Sequence, residues 1–141
     1  MKKLTLIIAI LAIVSAGFAN AVEWHTANEK TISWDAVTTL TDGNPIPANH
    51  TLKYRIYLAN AITDPDKTNA ALLVETDQLS YSIVLNTEGK YFAGVQAVRY
   101  DENNVEVSIS GINWSDINGE YTPNPFGIQH FIPTEMPKNL R

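Results

Sequence analysis

The sequence contains no cysteine, and the scarcity of other reactive residues excludes several classes of function. Without cysteine the chain has no disulfide to stabilise it, so its stability must come from the packed core. Its three histidines, His25, His50 and His130, have no second histidine or carboxylate at metal-ligand spacing. No serine lies in a nucleophile elbow, and no glycine-rich phosphate loop is present. The sequence therefore predicts no catalytic residue, no metal and no cofactor.

The only long apolar run is at the start of the chain. Two lysines, Lys2 and Lys3, precede an eleven-residue run from Leu4 to Val14 that is apolar except for Thr5, and the small-residue motif Ala19-Asn20-Ala21 follows. This order is typical of a secretory signal peptide, whereas a membrane-spanning anchor needs about 20 apolar residues. We expect cleavage after Ala21, with Ala19 as the second choice, and a secreted or periplasmic protein.

Basic residues are scarce in the mature chain. Removal of residues 1–21 takes away two of the ten basic residues and none of the fifteen acidic ones, so the net charge becomes −7. A negative surface repels nucleic-acid phosphates and anionic lipid headgroups. We therefore expect no nucleic-acid partner, and no membrane partner after signal cleavage.

Alternating apolar residues predict short β-strands from the N-terminal region to residue 109. The clearest pattern runs from Lys90 to Tyr100, where Tyr91, Val95 and Ala97 share one face of a central strand. Similar patterns place Tyr54 and Ile56 in an earlier strand and end a later one at Leu85. No stretch has helical periodicity. The predicted core comprises Trp34 at its centre, Tyr54, Ile56, Leu85, Tyr91, Val95 and Ala97.

Several of these residues resemble those of the fibronectin type III family. The resemblance is carried by Trp34-Asp35, by Tyr54-Arg55-Ile56-Tyr57, and by Leu85 followed by a turn and Tyr91. In such a tyrosine corner the phenol forms a hydrogen bond to upstream backbone. The resemblance implies an all-β, seven-stranded antiparallel immunoglobulin-like sandwich, which we expect to span residues 22–114.

The last part of the chain, residues 115–141, has a different character. It contains four prolines, Pro123, Pro125, Pro133 and Pro137, which disfavour a central strand. Its apolar residues Phe126, Ile128, Phe131 and Ile132 make it too apolar for a plain disordered linker. We therefore expect an extended tail that docks either on its own domain or on a partner.

Five aromatic residues that the alternating pattern does not assign to the core are the candidate binding residues: Trp24, Tyr57, Tyr100, Trp114 and Tyr121. Exposed aromatic rings stack on sugars or anchor protein contacts. They also commonly cover the ends of a sandwich, and their placement on one face would favour a binding role. The resemblance then implies a non-catalytic module that binds a protein or a carbohydrate through loops or these aromatics.

Two other functions remain open from the sequence. The apolar tail could add a strand to the open sheet edge of a neighbouring molecule and so build a homo-oligomer. An enzyme, most plausibly a hydrolase, ranks last because no catalytic group stands out. Asp64 and Asp66, near Asn60 and Asn69, lack the ligand spacing of a calcium loop.

Overall fold

Nine β-strands make up the regular structure of this protein in the ranges that the structure describes. The structure is a computed structural model and describes residues 21–117 and 119–139. These ranges contain no helix, and hence none long and apolar enough to cross a membrane. The predicted signal peptide falls outside them except for Ala21. The strands are β1 (Glu23–Thr26), β2 (Glu29–Ser33), β3 (Thr51–Asn60), β4 (Ala71–Thr76), β5 (Ser80–Val84), β6 (Gly89–Tyr100), β7 (Glu106–Ile109), β8 (Asn113–Trp114) and β9 (Phe126–His130).

The strands form two sheets, an arrangement consistent with a β-sandwich. The larger sheet has seven strands, with the path β1-β9-β6-β3-β4, and β7 and β8 also pair with β6. The smaller sheet consists of β2 and β5 in antiparallel pairing. Among the described residues, β2 and β5 therefore each have one edge without a neighbouring strand.

Strand β6 is the centre of the larger sheet. One edge pairs with β3 over ten residues, from Tyr91 opposite Asn60 to Tyr100 opposite Thr51. The other edge pairs in succession with β9, β8 and β7. The prediction of a central strand over this stretch is confirmed, because the alternation of large apolar side chains suits a strand with neighbours on both edges.

The core lies between the two sheets. Its buried residues come from the inner faces of β2, β3, β5, β6 and β9 and from the residue after β5: Ile32, Tyr54, Ile56, Ile83, Leu85, Ala93 and Ile128. The predicted core residues Tyr91, Val95 and Ala97 are half-buried and pack against this cluster. Trp34 is also only half-buried, and its ring lies 5.6 Å from that of Tyr54. The prediction that Trp34 is the centre of the core is wrong, because it lies just beyond the end of β2, at the margin between the sheets.

The tyrosine corner is present at the start of β6. The Tyr91 phenol donates a hydrogen bond to the carbonyl oxygen of Thr87 at 3.2 Å, as the sequence predicts. The bond is solvent-exposed, however, and not buried. The bond therefore constrains the backbone at the start of β6, and no buried polar group depends on it.

The strand count and the strand directions differ from the expectation of seven antiparallel strands. Strand β9 lies within the predicted tail and occupies an internal position in the larger sheet, between β1 and β6. It pairs with β1 in parallel, with Glu23 opposite Phe126 and Thr26 opposite Gln129. The prolines disfavour a strand only where they occur, and the seven residues between Pro125 and Pro133 contain none. This part of the tail thus docks on its own domain.

Candidate binding face

The outer face of the larger sheet carries four of the five candidate aromatic residues. Along β6 the odd-numbered residues face the core, so the even-numbered ones face outward. Tyr57 and Trp114 both lie opposite Gly94, and Tyr100 is itself an even-numbered residue of β6. Trp24 lies opposite Gly127 and contacts Phe92. We call the surface formed by Trp24, Tyr57, Phe92, Tyr100 and Trp114 the aromatic face.

Two glycines determine how the tryptophans lie on this face. A Cβ atom on Gly94 would fall 2.8 Å from the Trp114 ring and 2.6 Å from Ile112. A Cβ atom on Gly127 would overlap the ring of Trp24. Each tryptophan ring therefore occupies the space that a side chain at the glycine would fill, and such a close approach is a common reason for glycine within a strand.

Lysine side chains lie over the rings of the aromatic face. The Lys90 ammonium is 4.7 Å from the centre of the Trp24 ring. The Lys67 ammonium is 5.3 Å from the centre of Phe92 and 5.7 Å from a ring of Trp114. Such cation–π contacts contribute roughly 0.5–1 kcal/mol at exposed sites. The rings of Trp24 and Trp114 thus each have a strand glycine beneath them and a lysine ammonium over them.

An ion pair and an ordered loop hold Lys67 in place. Its ammonium lies 2.9 Å from Oδ2 of Asp116, and both side chains are largely shielded from solvent. The loop is shaped by Asp64, whose carboxylate accepts the backbone N–H groups of Thr68 and Asn69 at 3.1 and 3.0 Å. Those bonds show that Asp64 is a turn-forming residue of this loop.

A chain of hydrogen bonds crosses the middle of the face. The Tyr57 hydroxyl donates to Oε1 of Gln96 at 3.0 Å, and Nε2 of Gln96 donates to the carbonyl oxygen of Ser110 at 2.8 Å. Gln96 is buried. Because both ends of its amide are bonded, the Tyr57 ring has a fixed position next to Trp114.

A charged cluster lies beside Tyr100 at one end of the face. The Arg55 guanidinium contacts Glu75 at 2.9 Å and Glu106 at 2.6 Å, and Tyr100 donates to the Glu75 carboxylate at 2.9 Å. Burial raises the pKa of the Glu75 carboxyl, but the Tyr100 hydrogen bond and the Arg55 charge outweigh it and hold that pKa below its ordinary value. The hydrogen bond to Glu75 raises the pKa of the Tyr100 phenol.

The predicted site residues divide into three groups. Trp24, Tyr57 and Tyr100 are half-buried on the aromatic face, where a partner could reach their edges. Trp114 is on the same face, but only 8% of it is exposed, so the expectation of an exposed ring is wrong: the ring lies against Gly94 with the Lys67 ammonium over it. Tyr121 is 82% exposed and lines a different groove.

Sequence reasoning missed Phe92, Gln96 and Lys67. Phe92 and Gln96 fall on the even-numbered positions of the alternating strand, so the pattern itself places them on the outer face. The two glycines within strands were a further signal, because a strand glycine indicates a close approach by another group. Nothing local marks Lys67, whose position depends on a loop folding over the sheet.

No protein-family model, curated protein or solved structure matches this chain. Among the described residues, no group of three or more histidine and acidic side chains could hold a metal ion.

Proposed function

We propose that this chain is an exported, non-catalytic binding module that docks a protein on the aromatic face. The observation that carries the proposal is the convergence of Trp24, Tyr57, Tyr100 and Phe92 on one sheet face, beside a charged cluster. Aromatic residues bordered by polar groups are typical of protein-binding surfaces. The same fold class hosts unrelated functions, so the proposal depends on this surface and not on the fold.

A protein ligand fits this face better than a carbohydrate. Sugar stacking requires one open ring face, but the Trp24 ring lies between Gly127 and the Lys90 ammonium. The Phe92 ring likewise lies under the ammonium of Lys67, which is held by Asp116. Ring edges and the half-buried Lys90 side chain remain accessible, and these groups suit contacts with an acidic or aromatic protein surface.

Site-specific photo-crosslinking tests the proposal in the producing cell. A photoreactive residue at Tyr57 should give a discrete protein adduct, while the same residue at Val84, exposed on the outer surface of the smaller sheet, should not. For the partner identified in this way, Trp24→Ala should weaken binding at least tenfold, since truncation of an aromatic interface residue commonly costs more than 1 kcal/mol. Equal labelling from both positions, or glycan binding without a protein adduct, would overturn the proposal.

A further inference from the structure

Among the described residues, no strand pairs with the edge of β2 opposite to β5, and we call this the free edge of β2. The backbone N–H of Leu85 donates to the carbonyl oxygen of Asn28, and the backbone N–H of Trp34 donates to the carbonyl oxygen of Leu79. The backbone N–H and C=O groups of the even-numbered residues along this strand therefore point toward β5. The backbone groups of Glu29, Thr31 and Ser33 therefore face the free edge. Their side chains are exposed on the outer surface of the smaller sheet.

A groove between the two sheets lies at the end of this edge, beside Ile32, Ser33 and Trp34. It has a volume of about 260 Å³ and is lined by residues that include Ile32, Trp34, Phe126 and Asn113. The indole nitrogen of Trp34 is buried without a hydrogen-bond partner among the described residues. The residues that line the groove carry no charged side chain, so an occupant must place uncharged groups in it.

The chain itself presents an exposed segment with matching properties. Residues 131–139 follow β9 and form no strand, and Phe131, Ile132 and Met136 are all exposed. Both prolines of this segment, Pro133 and Pro137, are at odd-numbered positions. No even-numbered position of the segment is a proline, so an extended strand over it has an N–H at each of them for pairing with an edge. The Ile132 N–H donates to Glu88 in its own chain, and this solvent-exposed bond is exchanged for the one to the edge.

We propose that the segment Phe131–Met136 of a second copy pairs antiparallel with the free edge of β2. In one register, Ile132 lies opposite Ser33 and Thr134 opposite Thr31. The side chains of the odd-numbered residues of the added segment then point toward the core, as do those of Ile32 and Trp34 beside them. The proposed interface is a strand addition that uses the free edge and the groove together.

This register satisfies the inward-facing positions of both strands. Phe131 lies beside Trp34 in the groove, Pro133 beside Ile32, and Glu135 beside Lys30. Shifting the segment by two residues in the direction that moves Phe131 beyond Trp34 brings the Glu135 carboxylate against Ile32, which buries an unpaired charge. A shift in the other direction draws on Gln129, which already pairs within β9. Packing, proline positions and charge therefore favour one alignment.

The donor in this alignment is a second copy, because the same chain cannot supply it. Strand β9 ends beside the link from β1 to β2, where the Ala27 N–H donates to the carbonyl oxygen of Gln129 at 3.0 Å. Trp34 is at the opposite end of β2, about 20 Å further along an extended strand. Phe131 directly follows β9, so the Phe131 that reaches Trp34 must belong to another molecule.

Two measurements test the proposal on the mature chain, residues 22–141. Light scattering over a concentration series up to about 1 mM should show a dimer or a larger assembly. Thr134→Pro removes an N–H that must pair with the edge and should weaken association at least tenfold, while Thr134→Ala keeps that N–H and should not. A monomer throughout the series, or equal association of the two variants, would overturn the proposal.

The absence of cysteine allows the alignment to be tested directly. Thr31→Cys and Thr134→Cys chains, purified separately, should form a mixed disulfide after mixing, because opposite residues of an antiparallel pair lie within disulfide range. Thr31→Cys mixed with Lys138→Cys should give far less, since position 138 lies four residues further along the added strand. Equal yields from the two mixtures would exclude the proposed register.

Discussion

Single residues decide the shape of the aromatic face. Gly94 and Gly127 leave flat backbone on which Trp114 and Trp24 rest, and Gln96 bonds to Tyr57 and to the backbone at Ser110. These three positions alternate with the core residues of the same or a neighbouring strand. One strand therefore encodes both the core and the outer surface, since successive side chains point to opposite faces.

Gly94→Ala should destabilise the fold by roughly 1–3 kcal/mol. The added methyl group would meet the ring of Trp114 and the side chain of Ile112, so one of them must move. Urea unfolding measures the change in the free energy of unfolding. Gly111→Ala is the matched control, because a Cβ there meets no atom within 4 Å. Equal free energies of unfolding for the two variants would show that the tryptophan does not rest on this glycine.

Tyr91→Phe should destabilise the protein by only about 0.5–1.5 kcal/mol. The lost hydrogen bond to Thr87 is solvent-exposed, so water can replace it, and no buried group loses its partner. Urea unfolding at neutral pH provides the measurement. A loss near 3 kcal/mol would contradict this expectation and would indicate that the phenol is shielded from water.

The sequence identified the residues of the corner, but the solvent exposure of its hydrogen bond is known only from the structure. Leu85, the turn and Tyr91 predicted the phenol-to-backbone bond, because all of its determinants are local. Exposure of that bond depends on what the rest of the chain places over it. The partial exposure of Trp34 has the same origin: alternation assigns it to the inner side, but its burial depends on a neighbouring strand that β2 lacks in the described structure.

At the scale of elements, the charged cluster ties together four strands of the larger sheet. Arg55 on β3 bonds to Glu75 on β4 and to Glu106 on β7, while Tyr100 on β6 bonds to Glu75. The hydrogen bond to Glu106 raises the pKa of the Arg55 guanidinium, so its charge persists over the whole accessible pH range. The protonation state of the carboxylates therefore controls the strength of the cluster.

Glu75→Gln should weaken the dependence of stability on acid pH. Because the pKa of Glu75 is lowered in the folded protein, its contribution is present above the ordinary value of 4.5 and is lost as pH falls through the folded value. The native protein should lose stability more steeply below about pH 4.5 than the variant does. Urea midpoints between pH 3 and pH 7 measure the difference.

The control for this prediction is Glu120→Gln. Glu120 is exposed in a turn and forms no contact with the cluster, so its variant should keep the native pH dependence. If Glu75→Gln also keeps the native slope, the cluster does not stabilise the folded state.

Strands with local patterns could be predicted from the sequence, and β9 could not. The alternation of β6 and β3 is strong enough to identify both strands, whereas their pairing is known only from the structure. In β9 the apolar residues are flanked by prolines, and a short strand of this kind becomes stable only between two partners. Its partners β1 and β6 are remote in sequence, so the pairing is a consequence of the tertiary fold.

At the scale of the whole molecule, β9 closes the larger sheet. It links β1, which has no other neighbour in the described ranges, to β6, and it brings the fully buried Ile128 into the core. The segment beyond it is different in kind: residues 131–139 are exposed, and their contacts with the domain include an N–H of Ile132 that donates to Glu88. The first half of the tail therefore belongs to the larger sheet, and the second half is exposed on the surface.

Two truncations should separate these halves. A chain of residues 22–130 keeps β9, so its free energy of unfolding should stay within about 0.5 kcal/mol of that of the 22–141 chain, as expected for loss of exposed residues. A chain of residues 22–125 loses β9 and the pairing of β1, and burial of Ile128 alone contributes roughly 1.5–3 kcal/mol. We expect this shorter chain to lose most of its cooperative unfolding transition, measured by circular dichroism and urea titration.

The 22–130 chain also lacks the proposed donor segment, so it should be monomeric at concentrations where the 22–141 chain associates. A stable, cooperative 22–125 chain would show that β9 is dispensable, and an associating 22–130 chain would place the contact between copies outside the tail.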